Sequence, residues 1–84
     1  MSILERARQL LASRRYAYTT TFRGPLGEAV LADLARFCRA HKSTFNDDPR
    51  AAAKLDGRRE VWLRIQEHLK LTPDELWSLY DGRE

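Results

Sequence analysis

The stretch from Asp48 to Leu71, DPRAAAKLDGRREVWLRIQEHLKL, constrains this chain most, because both ends of one long helix are written in it. Asp48 is placed to accept from the first free amides, and Pro49 suits the first helical position, where no N–H partner is needed. Ala51, Leu55, Trp62, Ile65 and Leu69 recur at helical spacing and form one apolar stripe. Glu60 and Arg64 stand four apart in the favourable order, as on an exposed face. Gly57 interrupts the pattern at a cost of about 1 kcal/mol against Ala. It leaves room for another backbone to approach, or kinks the helix beside Arg58 and Arg59.

Such a helix needs something to pack against, and 84 residues supply little. A chain this short buries only about 60–65% of its unfolded surface, so one domain with a small core is expected. Chains of this size often rely on oligomerisation, a metal, disulfides or a docking partner. Cys38 is the single cysteine, which excludes an internal disulfide and all but excludes a four-ligand zinc site. Its solitude fits a reducing compartment. No apolar run approaches the length of a membrane span. The first residues, MSILERARQLL, lack an uninterrupted apolar core and a small-residue cleavage site, so no signal peptide is expected.

In chain order, Ser2 and Glu5 have capping-box spacing, so a first helix starts at Ile3 and occupies residues 1–15. Ile3, Leu4, Ala7, Leu10 and Leu11 give it an apolar face; it packs on the body of the domain or serves as a docking arm. Tyr16, Tyr18, Thr20 and Phe22 then alternate at period two, in residue types that favour extended chain. With no second strand candidate, residues 16–23 read as an extended linker, the alternative being a strand added to a partner's sheet edge. Gly24 and Pro25 open a second helix, about 25–41, with an apolar face of Leu26, Val30, Leu31, Leu34, Phe37 and Cys38. Its apolar density marks it as the centre of the core. Phe45 reads as a plug between the second and third helices. Thr72, Pro73 and Glu75 form a capping box for a short last helix carrying Leu76, Trp77, Leu79 and Tyr80, closed by Gly82. The expected fold is all-α: an antiparallel pair, about 25–41 and 49–70, with a short helix at each end, in a single domain over 1–84.

No catalytic signature emerges. His41 and His68 are far apart and fit no ligand pattern. Cys38 and His41 share a helix at i, i+3, but Cys38 continues the apolar face, and reactivity needs an exposed, electropositive thiol. Neither an enzyme nor a cofactor or metal site is expected. Binding is the remaining class. Twelve of fifteen basic residues are Arg, and the first 42 residues are net basic while the remainder is net acidic. Arg6, Arg8, Arg14 and Arg15 could track phosphates beside the stacking rings of Tyr16 and Tyr18, although a net charge of +3 is a weak field. Arg58 and Arg59, beside Gly57, suit a protein interface, where Arg is enriched, as do Trp77, Tyr80, Tyr16 and Tyr18.

Two runs, TFRGPLGEAVLADLARFCRAHKSTF and DPRAAAKLDGRREVWLRIQEHLKL, carry a resemblance. Phe22, Gly27, Val30, Leu31, Asp33 and Leu34, then Asp48, Pro49, Gly57, Arg58, Arg59 and Val61, resemble a family of small tailed-bacteriophage proteins over about residues 21–71. The resemblance implies a phage morphogenesis or virion protein encoded among head and portal genes. The expectation is a non-enzymatic assembly protein that oligomerises or docks on a portal, head–tail or ejection component. It would be found in the host cytoplasm during assembly and then in the virion. The alternative is a small DNA-binding accessory factor using the Arg-rich first helix.

Overall fold

The computed structural model describes residues 2–80. It contains four helices, α1 (Ile3–Thr21), α2 (Gly24–Phe37), α3 (Pro49–Lys70) and α4 (Pro73–Tyr80), and no strand among the described residues. The all-α expectation holds.

The caps form where the side chains allow. Ser2 accepts from the Glu5 amide at 3.1 Å, and Asp48 from the Arg50 amide at 2.9 Å. In the box that starts α4, the Glu75 amide donates to Thr72 Oγ1 and the Thr72 amide to Glu75 Oε1, both at 3.2 Å. Gly82, expected to close α4, lies outside the described residues.

Several expectations are corrected. Residues 16–21 are not an extended linker; they are the last part of α1. The β-type residues there have no strand to pair with, and the same sequence read at helical spacing aligns Leu11, Arg15, Tyr18 and Phe22 on the inner side. Thr19 fits the helix because its hydroxyl donates back to Arg15 O at 2.8 Å. The second correction concerns the core. It lies between the ends of the chain: Leu11 of α1 with Leu76 and Tyr80 of α4, joined by the buried Ile65 and His68 of α3. α1 packs on both α3 and α4, whereas α2 makes a smaller contact with α3. Within α2 only Gly27 is buried. Phe45 is not a plug either; it is 77% exposed.

α2 also ends earlier than its apolar pattern suggests, at Phe37. The chain closes it by a Schellman motif, with Ala40 N–H donating to Ala35 O at 2.9 Å and Arg39 N–H to Arg36 O at 3.2 Å. Arg39 takes the left-handed conformation there, φ 52°. No glycine marks the stop, so the sequence hides it.

α1 is tied to the end of α3 and to the start of α4. Arg15 Nε donates to Leu71 O at 2.8 Å, and Arg8 Nε pairs with Asp74 at 2.8 Å. The result is a thin plate. Its Cα extents are 50 × 34 × 13 Å and its radius of gyration is 15.1 Å, against roughly 12 Å for a compact chain of this length. Its accessible surface is 6315 Å², where a monomer of this mass typically exposes about 5,200 Å².

Candidate functional site

The residues singled out by the sequence fall into three places. Tyr18 and Tyr80 enclose His68, which has no exposed surface. Tyr18 stacks on its ring at 4.4 Å between centroids and Tyr80 packs from 5.7 Å. His68 Nδ1 lies 2.9 Å from Arg64 O, a carbonyl that can only accept. The Tyr80 hydroxyl is 3.4 Å from the same nitrogen, while Nε2 is buried with no hydrogen-bond partner. Trp77 is half-buried against the same cluster. These aromatics hold α1, α3 and α4 together; only Tyr16, 72% exposed, is displayed.

Arg58 and Arg59 form the second place. The Arg58 guanidinium sits 4.2 Å from the centre of the Phe37 ring, a cation–π contact that ties α3 to α2. Arg59 Nη1 donates to Lys42 O at 3.2 Å, across an exposed span of the α2–α3 connection. Beside them Gly57 stands in an unbroken helix, and a Cβ built on it would meet nothing within 4 Å. No neighbour within the chain requires that glycine.

The four N-terminal arginines are the third place, and they do not make one continuous track. Arg8 is held by Asp74 and Arg15 by the Leu71 carbonyl. Arg14 is half-buried and Arg6 is exposed. Cys38, at 3% exposure, is packed as a small apolar side chain, while His41 is exposed. Among the described residues, no three His, Cys, Asp or Glu side chains converge as metal ligands would.

One surface escaped the sequence reading. Leu26, Val30 and Phe37 of α2 are 85%, 49% and 55% exposed. Leu26 and Val30 lie on the outward side, as does Asp33, while Phe37 is covered on one side by Arg58 of α3 and Leu31, Leu34 and Cys38 are more buried. The signal was present: the apolar arc of α2 is wider than one contact can cover. Near the α1–α3 contact, Ala17, Tyr18, Thr21, Phe22, Val61 and Ile65 line a shallow open groove, none of them charged.

No curated protein and no solved structure matches this chain. A family profile does, and it reaches further than the resemblance in the sequence, taking in the end of α1 and the whole of α4. The matched family is described as Bbp19-like phage protein, and the match covers residues 18–81. Spanning well over half of the sequence, it establishes that the chain belongs to the Bbp19-like phage protein family.

Proposed function

We propose that this phage protein is a non-enzymatic assembly component of the virion, which works by docking on a larger head, portal or ejection element. The observation that carries the reading is the surplus surface of the plate. Its accessible area exceeds that of a typical monomer of its mass by about 1,100 Å², and the exposed side chains include Ile3, Leu26, Phe45 and Val61. A standard interface buries about 800 Å² on each partner, so one docking event would bring the chain back to an ordinary exposure.

The decisive experiment is mass spectrometry of purified particles, with cross-linking to identify the neighbour. The chain is expected in particles at fixed stoichiometry and cross-linked to a head, portal or ejection protein. Its absence from particles at every stage of assembly would overturn the reading. Titration of duplex DNA against salt distinguishes the DNA-binding alternative. A steep loss of affinity with salt would favour a nucleic-acid role; no shift at low salt would remove it. Arg8 and Arg15 already bind groups of their own chain, so weak and non-specific DNA binding is expected.

A further inference from the structure

The chain is packed in two parts of unequal strength. Leu11, Leu76 and Tyr80, with Ile65 and His68, form a core shared by α1, α3 and α4. The contacts that hold α2 are of another kind. Gly27, its buried residue, lies against the Phe22 backbone, a contact local in sequence that does nothing to hold α2 on α3. Leu31 and Leu34 are only half-buried. The side chains that tie α2 and its connection to α3 lie at the surface. Arg58 covers one side of Phe37, which is still more than half exposed, and Arg59 donates to Lys42 O at 3.2 Å in an exposed bond. At one end α2 starts from Gly24, at φ 84°. At the other it runs into residues 38–48, where Phe45 N–H donates to Ser43 Oγ and Asp48 N–H to Asn46 Oδ1, bonds that stay within the connection itself.

We propose that α2 and its connection to α3 open as a unit from a frame of α1, α3 and α4 that stays folded, with the Arg58–Phe37 and Arg59–Lys42 contacts as the latch. Opening breaks surface contacts and uncovers side chains that are half-buried, Cys38 being the exception. Parting α1 from α3 and α4 would instead uncover Leu76 and His68, which have no exposed surface, and break the Arg8–Asp74 and Arg15–Leu71 contacts. Segments that make few buried contacts open locally at a lower free energy than the whole fold. Elements that rearrange on binding are drawn from that low-stability end, which makes α2 the part of the chain that can be displaced without unfolding the rest. Opening is a property of the isolated chain and does not rest on the assembly reading. The protein carries its own reporter: Cys38, the single cysteine, caps the C-terminus of α2 and is buried when α2 is closed.

The test is the rate at which iodoacetamide alkylates Cys38 at fixed pH, from water up to the urea midpoint, with global unfolding followed by circular dichroism on the same samples. In water, alkylation should run at least about tenfold faster than global unfolding allows, as for a local opening. Its urea dependence should be shallow, because opening α2 exposes less surface than unfolding the chain. Arg58→Ala should speed it by about two- to fivefold, the loss of one exposed cation–π contact. Leu76→Val, in the core between α1 and α4, should lower the urea midpoint and leave alkylation in water unchanged. Amide exchange read by mass spectrometry should show residues 24–48 exchanging together, ahead of α1, α3 and α4. Alkylation that follows global unfolding in rate and urea slope, and that both substitutions shift alike, overturns the proposal, as does a rate indifferent to Arg58→Ala. A thiol as reactive in water as in the unfolded chain also overturns it, since no closed state would then exist to open. So does fast alkylation with the α2 amides protected to the global limit, which would confine the motion to the turn at Cys38. Exchange of α1 and α4 in step with α2 overturns it too, because no frame would remain.

Discussion

Tyr18 stacks on His68 with ring centroids 4.4 Å apart and planes 17° from parallel. That contact joins the end of α1 to the last turn of α3, and it closes over an imidazole with no exposed surface. It gives the aromatic segment of α1 a structural role. His68→Ala should lower stability by about 2–4 kcal/mol, as for other fully buried rings truncated in a core. Tyr18→Ala, half-buried, should lose about 1–3 kcal/mol. Tyr16→Ala, two residues away and on the outside, should stay within about 0.5 kcal/mol. Urea unfolding of the three variants checks this; equal losses at Tyr16 and Tyr18 would return the segment to an extended form.

Gly27 fixes the corner between α1 and α2. A Cβ there would sit 2.4 Å from the carbonyl carbon of Phe22 and 2.6 Å from its Cα and O, all backbone atoms that cannot rotate aside. Gly27→Ala should destabilise by about 2–3 kcal/mol or more, since the helix itself must shift. A melting curve is sufficient, and a variant as stable as the wild type would contradict the corner geometry.

The location of the core makes a prediction that the sequence alone does not. Leu76 is wholly buried and Ile65 is 7% exposed, while Leu34 is only half-buried. Leu76→Ala and Ile65→Ala should each cost about 2–4 kcal/mol, enough to unfold much of a small domain. Leu34→Ala should cost clearly less, about 1–2 kcal/mol, in proportion to the smaller area it buries. Chemical denaturation orders the three; Leu34 as the most sensitive position would restore α2 to the centre.

What the sequence revealed follows from where its signals are local. Helix starts are encoded by side chains within four residues, and Ser2, Asp48 and Thr72 cap where their spacing said they would. The 3.6-residue pattern of α3 survives intact. Period-two alternation at Tyr16–Phe22 misled, because residue preference for strands has force only when a neighbouring strand exists. The burial of α2 was misjudged because apolar density does not say which chain covers the surface. The candidate site was legible only in part. Arg58 and Arg59 do lie together at the α2–α3 connection, but Tyr18 and Tyr80 turned out to face a histidine that no local pattern marks.

Arg39 holds φ at 52° in the Schellman closure of α2, a region that a side chain occupies at a cost of roughly 1–2 kcal/mol. Its side chain returns little, a long 3.4 Å hydrogen bond to Ser43 O at the surface. Arg39→Gly should therefore raise stability by about 0.5–1 kcal/mol after the greater freedom of glycine in the unfolded chain is subtracted. Thermal unfolding shows the sign; a loss would mean that Arg39 supports the loop through more than its backbone.

Gly57 poses the opposite problem, a glycine in ordinary helical conformation with open space around it. Nothing in the fold needs it, so Gly57→Ala should stabilise the isolated protein by about 0.5–1 kcal/mol through helix propensity alone. If the assembled partner approaches the α3 backbone there, the same methyl should reduce incorporation into particles while the melting temperature rises. The two measurements together decide what the residue is for. Higher stability with normal incorporation would make Gly57 a mere weak point of the helix. Lower stability would mean that the space beside it is already filled within the chain.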